Sequence, residues 1–441
     1  MASDSSNVLN IAVVGAGIAG LTAAIALRRN GHLVQIFESS ENKTEIGAAL
    51  GVPLNALRVL DHLGISRENL KGVPVTGAVF LDPKSGEGQI MGRPTPNPAV
   101  AQVSPPVDGK EPAPTPLPQP AQGNPPRQTT LFCHRSDLYE ELKRLAIGEG
   151  EGPPVKLRLG AKILACDPED GNITLNSGDV VRADLVVGAD GVNSIIRTHV
   201  TGEVKKVSPS GVCCFRTVFQ FPTVREKPEL QWLTEGVSGP RAAIAREGPF
   251  RMLLFYPCRN GTLLNFIGFY TDTQEGGAGW KPTASRDDLI DKFADFHPKF
   301  LSVMDLPLHS EIIKWQLGVM PFLPTWIRGR AALLGDAAHA TLPFLAQGAA
   351  MAIEEGGSIG CLFPAGTKPA DVPERLAAYQ DIRKERGEFV RTESLEQLSR
   401  LKNGGQHGKF QEIQAYLFRY DAIATAQACY EERFGDKLPS K

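Results

Sequence analysis

A glycine-rich loop between an apolar strand and an alanine-rich helix constrains the fold of this chain more than any other feature. The apolar residues 10–14 precede the loop GAGIAG at 15–20, and residues 21–29 have helical periodicity. Gly31 ends this helix, and residues 33–38 have the pattern of a second strand. The segment therefore predicts one βαβ unit that binds the pyrophosphate of a dinucleotide at the N-terminus of its helix.

The residues of this unit have separate physical tasks. Gly15 permits the tight turn, Gly17 lets the backbone approach the pyrophosphate, and Gly20 allows the helix to pack closely on the strand. Ile18 lies where the free N–H groups of the helix point at the phosphates. Glu38 closes the next strand, where an acid binds the ribose hydroxyls of FAD or NAD rather than the phosphate of NADP. A plain glycine turn and a solvated glutamate are the alternatives.

Composition is that of a globular protein with balanced charge. A length of 441 residues exceeds one ordinary core, so we expect two closely packed domains. The formal charge of −2 gives no reason to expect a nucleic-acid partner, and no apolar stretch is long enough to span a membrane. Seven cysteines without a disulfide framework or metal-ligand spacing indicate reduced thiols, a cytoplasmic location and no metal site.

Residues 93–127 differ sharply in composition from the rest of the chain. They contain twelve prolines and almost no aromatic or branched apolar side chains. Such a segment buries too little surface to offset the entropy of ordering it, so it is interpreted as a surface insertion. A proline-rich ligand for a groove on another protein is the alternative.

Two later segments carry a resemblance to a known family. The first is DLVVGADGVNS at 184–194, followed by Arg197; the second is RAALLGDAAH at 330–339, followed by Pro343 and QGA at 347–349. At these residues and at the glycine loop, the chain resembles the flavin monooxygenases of the para-hydroxybenzoate hydroxylase fold, nearest to the salicylate hydroxylase-like members. The likeness extends from about residue 10 to about residue 386, apart from the proline-rich stretch.

This resemblance implies an α/β fold in which a Rossmann-like FAD-binding domain is interleaved with a substrate domain built on a mainly antiparallel sheet. A helical C-terminal tail follows. We expect the FAD-binding domain at 8–90, 128–205 and 321–375, the insertion at 91–127, the substrate domain at 206–320 and the C-terminal helices at 376–441.

The resemblance also implies roles around FAD. Asp336 follows a buried strand and would accept a hydrogen bond from a ribityl hydroxyl. Gly348 and Ala349 open a helix whose free N–H groups would stabilise the N1–C2=O edge of reduced flavin. The other implied cofactor residues are Gly51 in a loop that meets FAD, Arg135 over the phosphates, and Asp190, which touches FAD and assists NAD(P)H. A plain turn glycine and a solvated helix-start arginine are the alternatives for the first two.

The implied activity is hydroxylation of a small aromatic substrate. We expect non-covalent FAD, NADH or NADPH as co-substrate, and O2, with oxygen transfer through a flavin C4a-hydroperoxide. Arg216, on a strand of the substrate sheet, would face a phenolate or carboxylate, and Tyr256 would add a hydroxyl group. A strand arginine in a surface ion pair and a buried structural tyrosine are the alternatives. Some salicylate-type relatives use a histidine base in this sheet, but none occurs between His199 and His297.

A flavin-dependent dehydrogenase or reductase of the same fold, without oxygen insertion, is the alternative function. Flavin halogenases share the fold, but their Trp-x-Trp-x-Ile-Pro signature is absent from the stretch between Trp315 and Trp326. No second GxGxxG unit is present, as in family members that lack a separate NAD(P)H domain. His339, in the run GDAAH, is interpreted as a structural residue near the flavin loop rather than a base.

Overall fold

The computed structural model describes residues 7–41, 48–91, 129–221, 227–245, 247–272, 283–403 and 407–435. The proline-rich stretch interpreted as an insertion, 93–127, lies outside them. The α-helices of the described residues are α1 (Ile18–Arg29), α2 (Leu54–His62), α3 (Arg135–Ile147), α4 (Ile195–Thr201), α5 (Arg286–Phe293), α6 (Pro298–Leu301), α7 (Asp336–His339), α8 (Gly348–Leu362), α9 (Val372–Lys402), α10 (His407–Arg419) and α11 (Ala422–Phe434).

The strands of the described residues form four sheets. They are β1 (Asn10–Val14), β2 (Leu33–Phe37), β3 (Ala49–Val52), β4 (Val73–Pro74), β5 (Ala78–Leu81), β6 (Gly88–Met91), β7 (Leu131–His134), β8 (Lys156–Arg158), β9 (Ile163–Asp167), β10 (Asn172–Leu175), β11 (Val180–Arg182), β12 (Leu185–Gly188), β13 (Ser208–Gln220), β14 (Arg241–Ile244), β15 (Arg251–Cys258), β16 (Leu263–Thr271), β17 (Thr283–Ala284), β18 (Ile312–Val319), β19 (Ile327–Arg328) and β20 (Ala331–Leu333).

A six-stranded sheet with the order β19-β20-β12-β1-β2-β8 contains the predicted βαβ unit. All of its strand pairs are parallel except β19 with β20. The strand before the glycine loop has the predicted bounds, whereas α1 begins at Ile18, three residues before the predicted Leu21. The loop therefore lies at the carboxyl end of a central strand, where dinucleotide-binding folds hold their ligand. This arrangement confirms the predicted Rossmann-like fold class.

Small residues bring α1 close both to its own loop and to α8. A Cβ atom on Gly20 would lie 2.0 Å from the carbonyl oxygen of Gly15, which is far inside van der Waals contact. A Cβ atom on Gly360 would lie 2.4 Å from the Cβ of Ala26 on the opposing helix. Glycine at these positions lets α1 pack between the parallel sheet and α8 without displacing either one.

An eight-stranded sheet with the order β17-β18-β13-β16-β15-β14-β5-β6 forms the second layer. Its pairs are antiparallel except β14 with β5. The sequence-based division assigns residues 78–90 to the FAD-binding domain and residue 91 to the insertion, and in the structure β5 and β6 lie at the edge of this sheet. The partner of β5 is Arg241–Ile244, more than a hundred residues away in the chain, and such a distant pairing leaves no local signal in the sequence.

Alternation along the strands gives this sheet two different faces. One face contributes Phe215, Phe255 and Phe266 to a core that also contains side chains of α5 and α6. The opposite face contributes Cys214, Tyr256 and Ile267 to a cluster with Ala49 and Phe132, which belong to the small β3-β7-β4 sheet. The same small sheet contributes Val52 and Leu131 to the core around the parallel sheet, so it contacts both main layers.

Among the described helices, none combines the length and the apolar character that crossing a bilayer requires. All seven cysteines lie in the described residues, and all are buried free thiols.

We expect Gly20→Ala to destabilise the protein by about 1–3 kcal/mol, because the added methyl group would overlap the Gly15 carbonyl and force α1 away from β1. Gly17→Ala is the matched control. A Cβ atom on Gly17 meets nothing within 4 Å, so the Tm of its FAD-free form should equal that of the wild type. Equal Tm values for wild type and Gly20→Ala would contradict the close packing described above.

Candidate cofactor and substrate site

The glycine loop and Glu38 form one hydrogen-bonded unit at the N-terminus of α1. The backbone N–H of Gly15 donates to the carbonyl of Phe37 at 2.8 Å, so the loop begins against the end of β2. Glu38 is buried, and its Oε2 accepts a hydrogen bond from the N–H of Ala16 at 2.9 Å. The acid predicted to bind ribose thus lies within hydrogen-bonding distance of the loop predicted to bind pyrophosphate. Open space lies in front of Gly17, where an added Cβ atom would meet nothing within 4 Å.

The turn that carries Asp336 lies against the same helix. Gly335 has a φ of +60°, which lets the chain turn sharply from β20 into α7. A Cβ atom on Gly335 would lie 3.1 Å from the Cβ of Ala19, so the turn packs on the first turn of α1. The Asp336 side chain is exposed, and no hydrogen bond to it is found among the described residues. An available carboxylate beside the dinucleotide loop suits the ribityl role implied for it.

The N-terminus of α8 forms the third part of the site. Ala346 has a left-handed φ of +54°, an uncommon conformation for a residue with a side chain, and it directs the chain into α8 through Gln347. Gly348 has open space in front of it, and Ala349 is half-buried. A Cβ atom on Gly51 would lie 3.8 Å from the Cβ of Ala346, so the predicted flavin loop lies beside this turn.

Asp190 has a structural task that sequence reasoning missed. Its Oδ1 accepts a hydrogen bond from the Ser194 hydroxyl at 2.5 Å, and its Oδ2 accepts one from the N–H of Ile195 at 2.7 Å. The carboxylate therefore caps α4, and burial raises its pKa against the effect of these hydrogen bonds. Arg197 of the same helix donates to the carbonyl of Ala337 at 3.1 Å, which connects this motif to α7. Capping α4 is thus one role of Asp190, and the contact with FAD implied for it stays a prediction.

Arg135 is the first residue of α3 and is half-exposed. Its backbone N–H donates to the carbonyl of Ala48 at 3.0 Å, just before β3 begins. The helix that it opens packs on α1. The predicted phosphate-facing arginine is therefore on an element next to the dinucleotide-binding helix.

The two predicted substrate residues meet at one peptide group. Arg216 donates from Nη2, and Tyr256 from its hydroxyl, to the carbonyl of Ala49, each at 2.9 Å. The Arg216 guanidinium also lies over the Trp315 ring at 5.5 Å, while Phe132 stacks on Tyr256 at a centroid distance of 4.2 Å. Burial raises the pKa of Tyr256, and the nearby Arg216 only partly opposes it. Tyr256 therefore remains protonated and acts as a donor rather than a base.

Asn265 is a third polar residue at this peptide group, and sequence reasoning missed it. It is fully buried, and its Oδ1 accepts a hydrogen bond from the N–H of Ala49 at 2.9 Å. The register of β16 against its neighbours places Asn265 beside Tyr256 and one diagonal step from Arg216. The available signal was a single amide in the apolar run LLNFIGFY.

A buried charge network lies behind the cofactor-facing turns. Glu355 accepts hydrogen bonds from the N–H of Gly335 and from His339, both at 2.6 Å. The neighbouring Glu354 accepts from Arg383 at 2.6 Å and from Arg386 at 2.8 Å. All five of these side chains are buried. His339 is held inside the network, in agreement with the prediction that it is structural. The overlooked sequence signal for this network was a pair of acids in an otherwise apolar helix.

Electrostatics keep this network charged. Burial alone would raise the pKa of Glu354, but the guanidinium groups of Arg383 and Arg386 hold it below its ordinary value. Burial alone would lower the pKa of His339, but the carboxylate of Glu355 raises it above the ordinary histidine value. The interior behind α7 and α8 is therefore ionised and paired, so the two turns are held by charge-assisted hydrogen bonds.

The donors and acceptors of this surface fit FAD. Two helix N-termini, those of α1 and α8, offer free N–H groups with open space at Gly17 and Gly348. Between them, Asp336 supplies an exposed carboxylate. The N-terminus of α1 suits a diphosphate, the Asp336 carboxylate suits a polyhydroxyl chain, and the N-terminus of α8 suits an electron-accepting ring edge. Among the described residues, no group of three or more His, Cys, Asp or Glu side chains is arranged to hold a metal ion.

Comparisons with known proteins agree with this geometry. A family model described as an FAD binding domain matches residues 167–394, and one described as an NAD(P)-binding Rossmann-like domain matches residues 13–43. Hispidin-3-hydroxylase of Neonothopanus nambi is 36% identical over 436 residues, covering 96% of this chain and 97% of the relative. A salicylate hydroxylase of Pseudomonas putida is 28% identical over 412 residues, covering 88% and 85%. The solved structure of CtdE in complex with FAD and a substrate has a TM-score of 0.76 at 22% identity, covering 96% of this chain and 98% of that one.

We expect Glu38→Ala to raise the Kd for FAD roughly tenfold or more, because a charge-assisted hydrogen bond contributes about 1.5–3 kcal/mol. Glu41→Ala is the matched control, since Glu41 is an exposed acid three residues further on, and its Kd should be that of the wild type. Flavin fluorescence titration of the FAD-free proteins measures both values. Equal Kd values for all three proteins would show that Glu38 serves only the loop.

Proposed function

The chain belongs to the family of FAD-dependent monooxygenases, and from this premise we propose that it hydroxylates a small phenolic or other aromatic substrate that Arg216 holds in place. FAD, NAD(P)H and O2 are the cofactor and co-substrates of this activity. When bound, FAD supplies the redox and oxygen chemistry, and the protein supplies position, exclusion of water and charge.

The substrate class is carried over from the relatives. One of them is named for hydroxylation of hispidin and the other for hydroxylation of salicylate, and both cover most of this chain. Hispidin and salicylate both carry phenolic hydroxyl groups. We infer a phenol for this chain as well.

The main support for the proposal lies at β3, where the side of the eight-stranded sheet that carries Arg216 and Tyr256 meets the turn into α8. Ala49, at the start of this strand, accepts hydrogen bonds from Arg216 and Tyr256 on the eight-stranded sheet. Gly51, two residues later, lies beside the turn into α8. A ring held near Arg216 is therefore held close to the edge of the site that the flavin would occupy. This proximity is what transfer of an oxygen atom requires.

The side chains of Arg216 and Tyr256 suit the binding of a phenolate better than that of a neutral aromatic ring. A phenolate that enters this largely apolar face loses hydration, and the fixed charge of Arg216 offsets that loss. Tyr256 remains a neutral donor, so it can bind a phenolate oxygen but does not accept the phenol proton. The positive charge of Arg216 favours the ionised form of the phenol, which is the electron-rich form that attacks an electrophilic oxygen most readily.

Each part of FAD is assigned to a group of residues that the sequence predicted to contact it. We place the FAD diphosphate at the N-terminus of α1, the ribose at Glu38, the ribityl chain at Asp336 and the flavin ring at the N-terminus of α8. The residues assigned to these contacts are Gly15, Gly17, Ile18, Gly20, Glu38, Gly51, Arg135, Asp190, Asp336, Gly348 and Ala349. Open space at the glycines and the exposed Asp336 carboxylate support the assignment.

We also infer a cytoplasmic location. The chain keeps seven buried free thiols, including the adjacent Cys213 and Cys214. Free thiols in this number are typical of a reducing compartment.

We expect Arg216→Ala to retain FAD, to raise the KM of the substrate and to divert most NAD(P)H oxidation to H2O2, because the ring loses its anchor. Arg216→Lys should restore little, since an ammonium group does not reproduce the planar guanidinium fork. The substrate comes from a screen of phenols, hydroxybenzoates and hydroxypyrones for stimulated NAD(P)H oxidation. Product and H2O2 per NAD(P)H are then measured for each protein.

Arg251→Ala is the matched control for this experiment. Arg251 is an arginine on the opposite face of the same sheet, where it pairs with Asp295. We expect its KM and coupling to equal those of the wild type. Unchanged KM and coupling in Arg216→Ala would remove Arg216 from the site, and substrate-stimulated NAD(P)H oxidation without hydroxylated product in the wild type would favour a dehydrogenase or reductase.

A further inference from the structure

The N-terminus of α8 has a donor without an acceptor in addition to its backbone N–H groups. The first N–H groups of any helix have no partner inside the helix. Here the residue before the helix, Gln347, is also buried with 1% exposure. Its Nε2 has no hydrogen-bond partner among the described residues. A buried amide nitrogen at a helix N-terminus requires an acceptor, because burial without one is unfavourable.

The orientation of the Gln347 amide is set by its neighbour. Asn55 on α2 donates from Nδ2 to Oε1 of Gln347 at 2.9 Å and to Oε1 of Glu354 at 2.7 Å. A carboxylate only accepts hydrogen bonds, so Asn55 has to turn its NH2 group toward Glu354. Because that same NH2 group also faces Gln347, the glutamine has to present its oxygen there. Its NH2 group is then directed away from Asn55 and remains free to donate.

Glu354, Asn55 and Gln347 form a relay of hydrogen bonds, and the carboxylate at its start has a constant charge. Glu354 is fully buried, and it is paired with Arg383 at 2.6 Å and with Arg386 at 2.8 Å. Both arginines belong to α9, so the charge that orients Asn55 is fixed by a third helix. Glu354 and Gln347 are seven residues apart on α8, which is two helical turns, and Asn55 bridges them.

We propose that Gln347 is a cofactor-binding donor whose amide nitrogen faces the carbonyl edge of the bound flavin, with Asn55 and Glu354 as the positioning residues that set its orientation. The ligand class is a heterocycle with carbonyl acceptors that becomes more negative on reduction. This inference rests on the proposed function only in placing FAD at the N-terminus of α8.

The expected consequence is a thermodynamic preference for reduced FAD. A donor at the carbonyl edge stabilises the reduced ring, which is anionic there, more than the oxidised ring. The relay therefore contributes to a higher midpoint potential of the bound flavin. A residue that only stabilised the fold would change the Tm and leave the potential of the bound flavin unchanged.

Gln347→Glu tests the donor directly, because it replaces the free NH2 group with a carboxylate oxygen at nearly the same volume. We expect the reduced cofactor to bind about tenfold less tightly relative to the oxidised cofactor, which corresponds to a fall of about 30 mV for a two-electron couple. The absorption spectrum of the bound flavin should shift as well. Gln411→Glu is the matched control, with the same substitution at an exposed position of α10 and no expected shift.

Asn55→Leu tests the relay, because it keeps a similar volume but removes both hydrogen bonds. We expect the reduced cofactor to bind several-fold less tightly relative to the oxidised cofactor in this variant, so that the midpoint potential falls by less than about 30 mV. We expect no further fall when Asn55→Leu is added to Gln347→Ala. If Asn55→Leu does not fold, Asn55→Ser serves the same purpose, because a single hydroxyl proton goes to the charged Glu354 and leaves Gln347 unoriented. Glu388→Gln, which changes a half-exposed acid on α9 paired with Lys384, should leave the potential unchanged.

Dye-equilibration potentiometry of the FAD-loaded proteins, without substrate or O2, gives the potentials. An unchanged potential and spectrum in Gln347→Glu would overturn the donor role. Additive shifts of Asn55→Leu and Gln347→Ala would overturn the relay. Neither measurement involves hydroxylation, so failure of the proposed function would appear only in product formation and failure of this inference only in the potentials.

Discussion

Two adjacent carboxylates in the protein interior determine how the parts of the cofactor surface are held together. Glu354 and Glu355 have no solvent exposure, and two arginines of α9 and one histidine of α7 compensate them. Isolated buried charges are strongly unfavourable, so each partner has to be in place for the folded state to form. Glu355 fixes the turn of Asp336 through Gly335, whereas Glu354 fixes the start of α8 through Asn55. One dipeptide therefore sets the relative position of the two turns.

The peptide group of Ala49 has a corresponding role on the substrate side. Its N–H is bound by Asn265 and its carbonyl by Arg216 and Tyr256, so three side chains of the eight-stranded sheet hold one strand of the small sheet. Without substrate, the cationic Arg216 and the neutral Tyr256 each donate one hydrogen bond to this carbonyl, and the buried Nε of Arg216 has no partner among the described residues. A phenolate would be a stronger acceptor than a peptide carbonyl, so under the proposed function it would compete with Ala49 for these donors. Substrate recognition and the position of β3 would then be coupled through shared hydrogen bonds.

The sequence predicted the parts of this structure that local signals encode. The bounds of β1 and the course of the βαβ unit follow from a glycine loop between regular elements, and the family resemblance read from three motifs was confirmed. The place of β5 and β6 in the eight-stranded sheet could not be predicted, because the pairing of β5 with β14 is a long-range property. Asn265 and the Glu354–Glu355 pair were overlooked, since their meaning depends on partners from distant helices and strands. The pairing of Arg216 and Tyr256 at one carbonyl was also invisible before the sheets were assembled.

We propose that this chain inserts one atom of O2 into an aromatic ring held beside Arg216. The direct test is turnover of a screened phenol under dioxygen labelled with heavy oxygen, followed by mass spectrometry of the product. We expect one heavy oxygen atom in each hydroxylated product molecule and none when only the water is labelled. Unlabelled product, or complete conversion of the labelled dioxygen to H2O2 with the phenol unchanged, would contradict it.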